Sequence, residues 1–535
     1  MFLREVKTKG RVYLNIVENY RCKGKIKQRS IASLGRLDNL NIAKTEQLKR
    51  IALSLLKYCK QNTHLDITTT SEIQRKIWGA PFIIRKVWDK FRLDELFKKV
   101  TKGYKIKFDF FSSVFLMILD RICDPVSKLK SYQKQDKYYG IKTNELQHLY
   151  RALDILADKK EEIEEYLFKA NVNLFNTEID VVFYDVTTLY FESVIRDTLR
   201  EFGFSKDLKV KEVQVVLGLL LDQEGRPIGF DIFAGNTFEG GTIKIILDKL
   251  DKRFQIKRLI FVGDCAILSK ENLQIIKDLG YEYIVGSRIK NKTKEIKDKI
   301  LDKEGYIEVM REDEDETFRY KEIEIGKERL ICGYSSKRAR KDREERERLI
   351  EKANEILQRG KPILSKRGAL RYIKIESIEG NKIDKERIEE DEMWDGYYGV
   401  ETNSKNLTGP DILNIYHNLW KIEEAFRVLK SHLEARPIFH WTEKRIRGHL
   451  VLCFIAFLIE RTLELELKQN NIEYSPEKIR EALNSLQFSE IEIEGQRFYL
   501  RSKVEGLAND ILRILKIRIP PNITTPEVFN NYKIE

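Results

Sequence analysis

The sequence predicts a mixed α/β fold, and three successive patterns carry that prediction. Residues 179–191 are an apolar run rich in β-branched and aromatic side chains, as in a buried strand. Residues 213–233 hold two more apolar runs around the turn-forming segment 223–227, which predicts a hairpin. Residues 242–254 repeat apolar side chains with a helical period, and the apolar strand 258–264 follows. This order is typical of a mixed sheet covered by helices.

The same patterns predict the elements that follow. A helix over 269–279 and a strand over 281–287 should extend the core. A charged helix is expected at 337–359, a strand at 394–402 and a long helix at 410–432.

A chain of 535 residues is too long for one hydrophobic core, so we expect several domains. Composition and pattern divide it into six segments. These are a basic β-rich segment at 1–43, a helical DNA-binding candidate at 44–176, the first part of the core at 177–290, a β-rich insertion at 291–395, the second part of the core at 396–445, and a helical C-terminal region at 446–535.

The net charge is +13, and much of the excess lies at the start of the chain. Residues 1–36 hold ten Lys or Arg side chains, including Lys23, Lys25 and Lys27, against two Glu side chains. A polyanionic partner, nucleic acid first, explains such a cluster. A Lys-rich protein without such a partner would have the same balance, so charge alone leaves both interpretations open.

Cysteine usage and hydropathy indicate the compartment. The six cysteines include no Cys-x-x-Cys pair, which argues against a disulfide framework and a zinc site. The first residues lack the apolar core of a signal peptide. The longest apolar stretch, 450–459, is far shorter than the roughly 20 residues that span a bilayer. We therefore expect a cytoplasmic protein with no membrane partner.

Two aspartates stand at unusual places in the predicted strands. Asp185 interrupts the apolar run 179–191, where an ionisable group is unfavourable unless a bound cation compensates it. Asp264 closes the strand 258–264, at the end where α/β sheets place their chemistry. A turn or N-cap role before the next helix is the structural alternative for Asp264.

The third candidate acid lies on the long helix. The buried stripe of this helix is expected to comprise Ile412, Ile415, Leu419, Ile422, Phe426, Leu429 and Leu433. Tyr416, Glu423 and Lys430 are seven residues apart and should lie along one edge of that stripe. Glu424 lies about 100° from Glu423 around the helix and should face water, which favours Glu423 as the functional acid. An i,i+4 pair with Arg427 on a solvated face is the structural alternative for Glu423.

These acids suggest a particular chemistry. Two Asp and one Glu without His or Cys are ligands that Mg²⁺ or Mn²⁺ prefers, and two such ions serve phosphodiester chemistry. The sequence contains neither the Gly-rich loop of ATP-driven motors nor a His-Glu-x-x-His motif. His432, His440 and His449 are expected to contact phosphate or to cap structure.

Together the motifs resemble the DDE transposases of bacterial insertion sequences, in the group with a Tyr-x-x-Arg-x-x-x-Glu-x-x-x-x-x-x-Lys signature. Tyr416, Glu423 and Lys430 match that signature. Leu419 stands where the signature has Arg, so Arg427 becomes the candidate for that DNA contact.

Further segments extend the resemblance to about 180–290 and 394–460. They are 183–192 around Asp185, 235–237 with the residues Gly-Asn-Thr, 262–269 around Asp264, 436–441 and 445–449.

The resemblance implies an RNase H-like core, with the insertion between Asp264 and the glutamate helix. It implies metal-dependent hydrolysis at terminal inverted repeats, then attack of the freed 3′-hydroxyl on target DNA. Asp185, Asp264 and Glu423 would hold two Mg²⁺ (or Mn²⁺) ions. The candidate DNA contacts are Tyr416, Lys430, Arg427, Arg445, Arg447, Lys23, Lys25 and Lys27.

The family also implies a homodimer that holds two DNA ends, working at the bacterial nucleoid. Two other functions stay open on the residues alone: a metal-dependent nuclease without strand transfer, and an inactive DNA-binding derivative. Residues 1–36 and the helices at 80–170 are both candidates for reading the DNA ends.

Overall fold

The structure is a computed structural model that describes residues 2–22, 25–37, 54–55, 70–175, 181–204, 211–254, 259–264, 269–309, 317–359, 367–375, 381–493 and 495–530. The expected helix around 43–59 and Lys23 lie largely or wholly outside these residues. The chain divides into two compact units. The first comprises residues 1–74, 489–500 and 523–528, and the second comprises residues 75–488, 501–522 and 529–535.

The first unit begins with the predicted basic β-meander. It consists of β1 (Phe2–Thr8), β2 (Arg11–Cys22) and β3 (Lys25–Arg36), paired antiparallel in that order. Lys9 and Gly10 adopt positive φ in the β1–β2 turn, a conformation that suits glycine. Lys25, Lys27 and Arg29 alternate along β3 and therefore share one face.

This unit also holds most of a second sheet, in the order β18-β17-β16-β4. Its strands are β4 (Ser71–Ile77), β16 (Gln487–Ile493), β17 (Gln496–Arg501) and β18 (Ile523–Thr524). The C-terminal region 446–535, predicted to be helical, therefore also contains the strands β16 and β17. The alternating burial of β16 is a strand signal that we had not recognised.

In the described residues, the second unit is built on a nine-stranded sheet in the order β10-β11-β12-β15-β9-β8-β5-β6-β7. The strands are β5 (Val181–Tyr190), β6 (Gln214–Asp222), β7 (Pro227–Ala234), β8 (Ile260–Gly263), β9 (Glu282–Ser287), β10 (Ile307–Val309), β11 (Phe318–Ile325), β12 (Glu328–Ser335) and β15 (Tyr397–Thr402). β5, β8 and β9 run parallel, and the other neighbours are antiparallel. The mixed sheet is confirmed.

The predicted insertion does not form a separate sheet. β10, β11 and β12 continue the core sheet, because β12 pairs with β15 and β15 pairs with β9. The small pair β13 (Ile373–Lys374) and β14 (Lys382–Ile383) lies apart from it.

Helices account for most of the remaining described residues of the second unit. They are α1 (Gly79–Lys90), α2 (Leu93–Val100), α3 (Phe110–Cys123), α4 (Lys128–Gln133), α5 (Leu146–Asp158), α6 (Lys160–Phe175), α7 (Ile243–Lys249), α8 (Lys270–Asp278), α9 (Lys294–Leu301), α10 (Ser336–Gln358), α11 (Lys385–Glu392), α12 (Gly409–His417), α13 (Trp420–Arg427), α14 (Glu443–Gln469), α15 (Pro476–Ser485), α16 (Gly506–Ile514) and α17 (Pro526–Asn530). No described helix combines the length and apolarity needed to cross a membrane.

The two faces of the sheet are covered by different helices. On one face, Tyr184 and Val186 of β5 join Ile246 of α7 in a buried cluster. On the other face, Asp185, Leu219 and Phe230 pair in a row across β5, β6 and β7. The Phe230 ring contacts Phe454 of α14, with centroids 5.0 Å apart. Because side chains alternate along a strand, Asp185 lies on the face that α14 covers.

A buried ion network ties α6 and α7 to β7. Glu164 accepts hydrogen bonds from Lys160 at 3.0 Å, from Lys249 at 2.7 Å and from the Phe230 backbone N–H at 2.8 Å. Asp231 accepts from the same two ammonium groups at 2.9 and 3.2 Å. Each buried charge thus has a partner of opposite sign, as burial requires.

We predict that Glu164→Ala lowers the free energy of unfolding by about 3–5 kcal/mol, because it leaves two buried ammonium groups underpaired. Urea denaturation followed by circular dichroism measures this loss. The matched control is Glu165→Ala, which removes an exposed pair with Lys169 and should cost less than about 1 kcal/mol. Equal losses in the two variants would contradict the role assigned to Glu164.

Candidate active site

Two of the predicted acids follow the paired parts of two neighbouring parallel strands. The pairs Val181–Ile260, Val182–Phe261 and Phe183–Val262 define the register of β5 with β8. Asp185 and Asp264 each come two residues after the last of these pairs, and Asp264 directly follows the end of β8. Neighbouring strands lie about 4.8 Å apart, and paired residues project to the same face. If the register continued by two residues, the two carboxylates would stand opposite each other on one face of the sheet.

Asp185 is half-buried within a strand that is otherwise almost wholly buried. Its Oδ1 accepts a hydrogen bond from the backbone N–H of Val186 at 2.7 Å. The next residue back, Tyr184, faces the other side, where its hydroxyl donates to Thr242 Oγ1 at 2.7 Å. Burial raises the pKa of Tyr184, which therefore stays neutral. The carboxylate is supported by its own backbone while remaining partly open to solvent.

Asp264 is exposed at the carboxyl end of β8. The N-cap of the following helix α8 is Ser269, whose hydroxyl accepts from the Asn272 N–H. The alternative in which Asp264 caps that helix is therefore wrong. Its position matches the edge of an α/β sheet at which functional side chains collect.

The helix that carries the third acid is not continuous, contrary to the predicted helix at 410–432. α12 ends at His417, α13 begins at Trp420, and residues Val428–His432 form a π-helical turn. Because the helix is interrupted, the seven-residue spacing of Tyr416, Glu423 and Lys430 no longer places them along one edge of a helix. Ile422, within α13, is buried as expected.

Contacts at both ends of this segment position it on the face that carries Asp185. α13 packs against β5, and α12 packs against β8 and β9. The Lys421 ammonium donates to the carbonyl of Gln223 in the β6–β7 turn at 2.6 Å. Beyond the π turn, the Ile438 N–H donates to the carbonyl of Tyr190 at the end of β5, at 3.3 Å.

The two adjacent glutamates of α13 have different surroundings. Glu423 is exposed, on the helix that packs against β5. Glu424 is half-buried and pairs with Arg461 of α14 at 3.3 Å. The expectation that Glu424 faces water was wrong, because α14 covers that side of the helix. The pair engages Glu424, whereas Glu423 has no ion-pair partner in the described part of the chain.

Arg461 joins a cluster of buried acids behind α13. It contacts Glu464 at 3.0 Å, and both side chains line a cavity of about 570 Å³ that Glu424 also lines. Burial raises the pKa of Glu464 to about 8, despite the opposing effect of the Arg461 charge. Nearby, His432 Nε2 lies 2.6 Å from Glu460 Oε1, and both residues are buried. We had not anticipated this cluster; its sequence signal is three charged residues directly after the apolar run 450–459.

The predicted phosphate contacts by histidines are not supported. His432 and His449 are buried, and burial lowers the pKa of His440 to about 3 and that of His449 well below its ordinary value. His449 Nε2 lies 3.3 Å from the Ala435 carbonyl. His440 and His449 are therefore neutral, and all three histidines belong to the packing around α14.

The candidate DNA contacts are spread over both units. Arg427 is exposed, Tyr416 and Lys430 are half-buried, and Lys25 and Lys27 are exposed on β3. Arg445 and Arg447 are engaged by acidic side chains of the chain itself. Arg445 pairs with Asp154 at 3.4 Å and lies over the Tyr150 ring, and Arg447 pairs with Glu443 at 2.7 Å.

The donor set suits a hard divalent cation. Asp185 and Asp264 offer carboxylate oxygens on β5 and at the end of β8, and α13 brings a third carboxylate to β5, which is the oxygen-rich chemistry that Mg²⁺ and Mn²⁺ prefer. In the conformation described here, no three His, Cys, Asp or Glu side chains of the described residues are gathered as ligands of one ion. The three acids thus lie on β5, at the end of its neighbour β8 and on the helix that packs against β5, without forming a closed ligand set.

Comparison with protein-family models gives the family. The model of the transposase DDE domain matches residues 177–459, which contain all three acids. The chain belongs to the DDE transposases. The model of the N-terminal domain of the IS1634 family of transposases matches residues 3–68. No curated protein sequence matches the chain.

This DDE transposase is therefore a polynucleotidyl transferase and endonuclease whose substrate is DNA, and it catalyses transposition by DNA cleavage and strand transfer. Its family generally uses divalent metal ions. Resemblance to solved structures is low. A piggyBac transposase synaptic complex with hairpin DNA has a TM-score of 0.36 at 8% identity, over 75% of this chain and 77% of that chain. A pre-cleavage Mos1 transpososome has a TM-score of 0.15 at 12% identity, over 34% of this chain and 61% of that chain.

We predict that Glu464→Gln stabilises the transposase increasingly as pH rises. The pKa of Glu464 is 4.5 in the unfolded chain and about 8 in the folded protein. Its contribution to stability is therefore fully present below pH 4.5 and is lost as the pH rises through about 8. Glutamine stays neutral at every pH. The difference in free energy of unfolding between Glu464→Gln and the wild type should therefore grow between about pH 5 and about pH 8, by at most about 1.4 kcal/mol per pH unit.

Thermal unfolding across this pH range measures the effect. The groups that face Glu464 are Arg461, Glu460, Glu424 and Glu477. Glu473→Gln, which removes an exposed pair with Lys468, is the control and should show no such pH trend. A pH-independent difference between Glu464→Gln and the wild type would show that Glu464 is ionised in the folded protein.

Proposed function

We propose that Asp185, Asp264 and Glu423 are the catalytic acids of this transposase and that they hold two Mg²⁺ (or Mn²⁺) ions. The observation that supports the proposal is the parallel register of β5 with β8, which ends two residues before both Asp185 and Asp264, together with the packing of the Glu423 helix against β5. When bound, two such ions stabilise the attacking and leaving oxygens of a phosphodiester displacement.

We further propose that the core is RNase H-like and that residues 291–395 are an insertion within it. The strand order β8-β5-β6-β7, with β5 and β8 parallel and β6 and β7 antiparallel, supports this arrangement. So does the sequence order of three strands, α7 and then β8. In this scheme residues 177–290 and 396–445 form the core, while 1–43, 44–176 and 446–535 flank it.

The reaction sequence follows from the activity. At each terminal inverted repeat, water attacks the scissile phosphorus, the P–O3′ bond breaks, and a 3′-hydroxyl and a 5′-phosphate result. That 3′-hydroxyl then attacks a phosphodiester of the target, which forms a new P–O bond and releases a target 3′-hydroxyl. In this proposal the half-buried Asp185 and the exposed Asp264 would place their carboxylate oxygens beside the reacting phosphate.

DNA would be held by cations outside the acid set. We propose that Tyr416, Lys430 and Arg427 contact phosphates beside the cleaved bond and that Arg445 and Arg447 extend this contact after exchanging their present carboxylate partners. The β3 face with Lys25 and Lys27, together with Lys23, would bind the repeat through its backbone. Two DNA ends require two such proteins, so the active form would be a homodimer at the nucleoid.

Substitution of each acid tests the site. We predict that Asp185→Asn, Asp264→Asn and Glu423→Gln each reduce cleavage and joining at least about 10³-fold, a loss of the order seen when a preorganised electrostatic group is removed. Asp185→Asn should also keep or raise the thermal stability, since it removes a half-buried charge. The assay uses a labelled duplex with the terminal repeat read from DNA beside the gene, plus a target plasmid and Mg²⁺.

Two controls accompany this assay. Asp278→Asn changes an exposed acid at the end of α8 and should leave both steps unchanged. Glu424→Gln should lower the melting temperature by breaking the Arg461 pair, yet the folded variant should still cut DNA. Cleavage by Asp185→Asn would overturn the proposed acid set, and cleavage without joined products in the wild type would contradict strand transfer.

A second prediction concerns the basic meander. If Lys25 and Lys27 bind phosphates, Lys25→Gln with Lys27→Gln should weaken binding of the repeat duplex and reduce the slope of log K against log salt by about 2. Fluorescence anisotropy at several salt concentrations measures the slope. Lys303→Gln, an exposed lysine before β10, is the control. An unchanged slope in the double variant would remove β3 from the DNA interface.

A further inference from the structure

A small cavity lies among α3, α4, α5, α14 and the segment that follows the π turn. Its volume is about 210 Å³. Four of its lining side chains are cations, namely Arg121, Lys128, Lys130 and Arg436, and Glu434 is the single carboxylate among the described residues that line it. We call it the cation cavity. Organic ligands of drug size need about 300–1,000 Å³, so this smaller volume suits a small anion.

Lys128 is the most buried of the four cations, with 3% of its surface exposed. Its ammonium has no hydrogen-bond or ion-pair partner among the residues that the structure describes. Burial, together with the positive charge of Arg121, lowers the pKa of Lys128 to about 7. The Asp120 carboxylate opposes this effect, but it is engaged by Lys137 at 3.3 Å. A buried ammonium of this kind is unfavourable until an anion reaches it.

The Arg121 guanidinium is fixed at the cavity by backbone carbonyls. Its Nη1 donates to the carbonyls of Leu433 and Glu434, both at 3.0 Å, and its Nη2 donates to that of Val126 at 2.7 Å. Its Nε is buried and has no hydrogen-bond partner in the described part of the chain. Buried polar groups of proteins nearly always have a partner, so this Nε and the Lys128 ammonium both require an acceptor.

Two further cations add positive charge nearer the surface. Arg436 is half-buried and lies over the Tyr190 ring at 5.2 Å, and Lys130 is exposed. Burial, followed by the positive charges of three nearby cations, lowers the pKa of His440 to about 3. This neutral histidine adds no charge to the cavity wall, and its low pKa reflects the positive potential there. The charge that attracts a ligand therefore comes from the lysines and arginines.

The cation cavity is separate from the proposed catalytic acids. Tyr190, which Arg436 covers, is the last residue of β5 and lies about 17 Å from Asp185 along the strand. The buried cations of the cavity are reached only by a ligand small enough to enter it. An internal phosphodiester of DNA carries a sugar on each side of its phosphate, which prevents such entry. A free tetrahedral oxyanion has no such groups.

We propose that the cation cavity binds one phosphate-sized oxyanion, free in solution, between the Lys128 ammonium, the Arg121 Nε and the Arg436 guanidinium. Charge-assisted hydrogen bonds are the strong ones, and a guanidinium suits phosphate. The ligand would tie α3 and α4 to residues 433–438, which lead from the Glu423 helix to the end of β5. The inference uses none of the catalytic acids, so its failure and that of the proposed function are separate.

Calorimetric titration of the full chain with inorganic phosphate, at constant ionic strength, tests the proposal. We expect one phosphate per chain. Lys128→Met keeps much of the side-chain length without the charge and should weaken phosphate binding at least about tenfold, the effect of losing a charged hydrogen bond. Lys130→Gln, at the mouth, should weaken it about two- to fivefold. Lys134→Gln, an exposed lysine outside the cavity lining, is the control and should bind phosphate like the wild type.

Thermal unfolding gives an independent readout. Phosphate at about one hundred times its dissociation constant should raise the melting temperature of the wild type by about 2–3 °C, whereas chloride at the same ionic strength should not. Without phosphate, Lys128→Met should melt above the wild type, because it removes a buried charge that has no partner, and phosphate should not raise its melting temperature further. If Lys128→Met does not fold, the weaker binding by Lys130→Gln, against unchanged binding by Lys134→Gln, decides the test.

A DNA arm distinguishes a free oxyanion from a DNA phosphate. Lys128→Met should bind the terminal-repeat duplex within about twofold of the wild type, and phosphate should not compete with that duplex beyond the effect of ionic strength. A tenfold loss of duplex binding in Lys128→Met, with competition by phosphate, would place the cavity in the DNA interface and overturn the proposal. So would the absence of phosphate binding, or equal phosphate affinity in Lys128→Met and the wild type. None of these results bears on cleavage by Asp185→Asn.

Discussion

The hydrogen-bonded ladder between β5 and β8 holds together the two strands that carry Asp185 and lead to Asp264, and the other parts of the candidate site surround these strands. The ladder is parallel and buried on both faces, so both strands are nearly continuous apolar runs. A slip of one residue in either strand would send its acid into the cluster around Tyr184 and Ile246. Burial of an unpaired carboxylate there is strongly unfavourable, so hydrophobic packing also specifies the register of the acids.

The third acid is positioned by side-chain contacts. α13 is short, follows a break at Asn418–Leu419 and ends in a π turn, so its rotation depends on contacts from neighbouring elements. Lys421 fixes one side to the β6–β7 turn, and the Glu424–Arg461 pair fixes another to α14. With both sides held, Glu423 has no such pair with any residue that the structure describes. The two adjacent glutamates thus differ in their surroundings: Glu424 is paired with Arg461, and Glu423 is exposed.

The sequence predicted the strands of the core well, because their apolar runs and the hairpin turn are local signals. It also made Asp185 and Asp264 candidates, since each breaks or ends such a run, and their role stays a prediction. Their alignment needed a strand register, which is a non-local property. The surroundings of Glu424 could not be predicted for the same reason: helical geometry gives the angle between neighbours, but Arg461 comes from a helix that is distant in sequence.

The C-terminal strands were missed because their short amphipathic runs adjoin strong helical signals. The histidines were misjudged because burial by α14 is a tertiary effect.

The joining of β12 to β15, and of β15 to β9, has a mechanical consequence. The chain leaves the sheet after Ser287 and returns at Tyr397, and Ser287 pairs with Gly399. Residues 288–396 therefore form the connection of an antiparallel pair, β9 and β15. The strands β10–β12 within this connection extend the same sheet beyond β15. Force applied to β10–β12 passes through continuous backbone hydrogen bonds to β8 and β5, with no hinge between. A DNA segment bound by residues 288–396 would therefore move together with the core strands. The length and twist of β10–β12 would then set the angle at which a DNA strand meets Asp264.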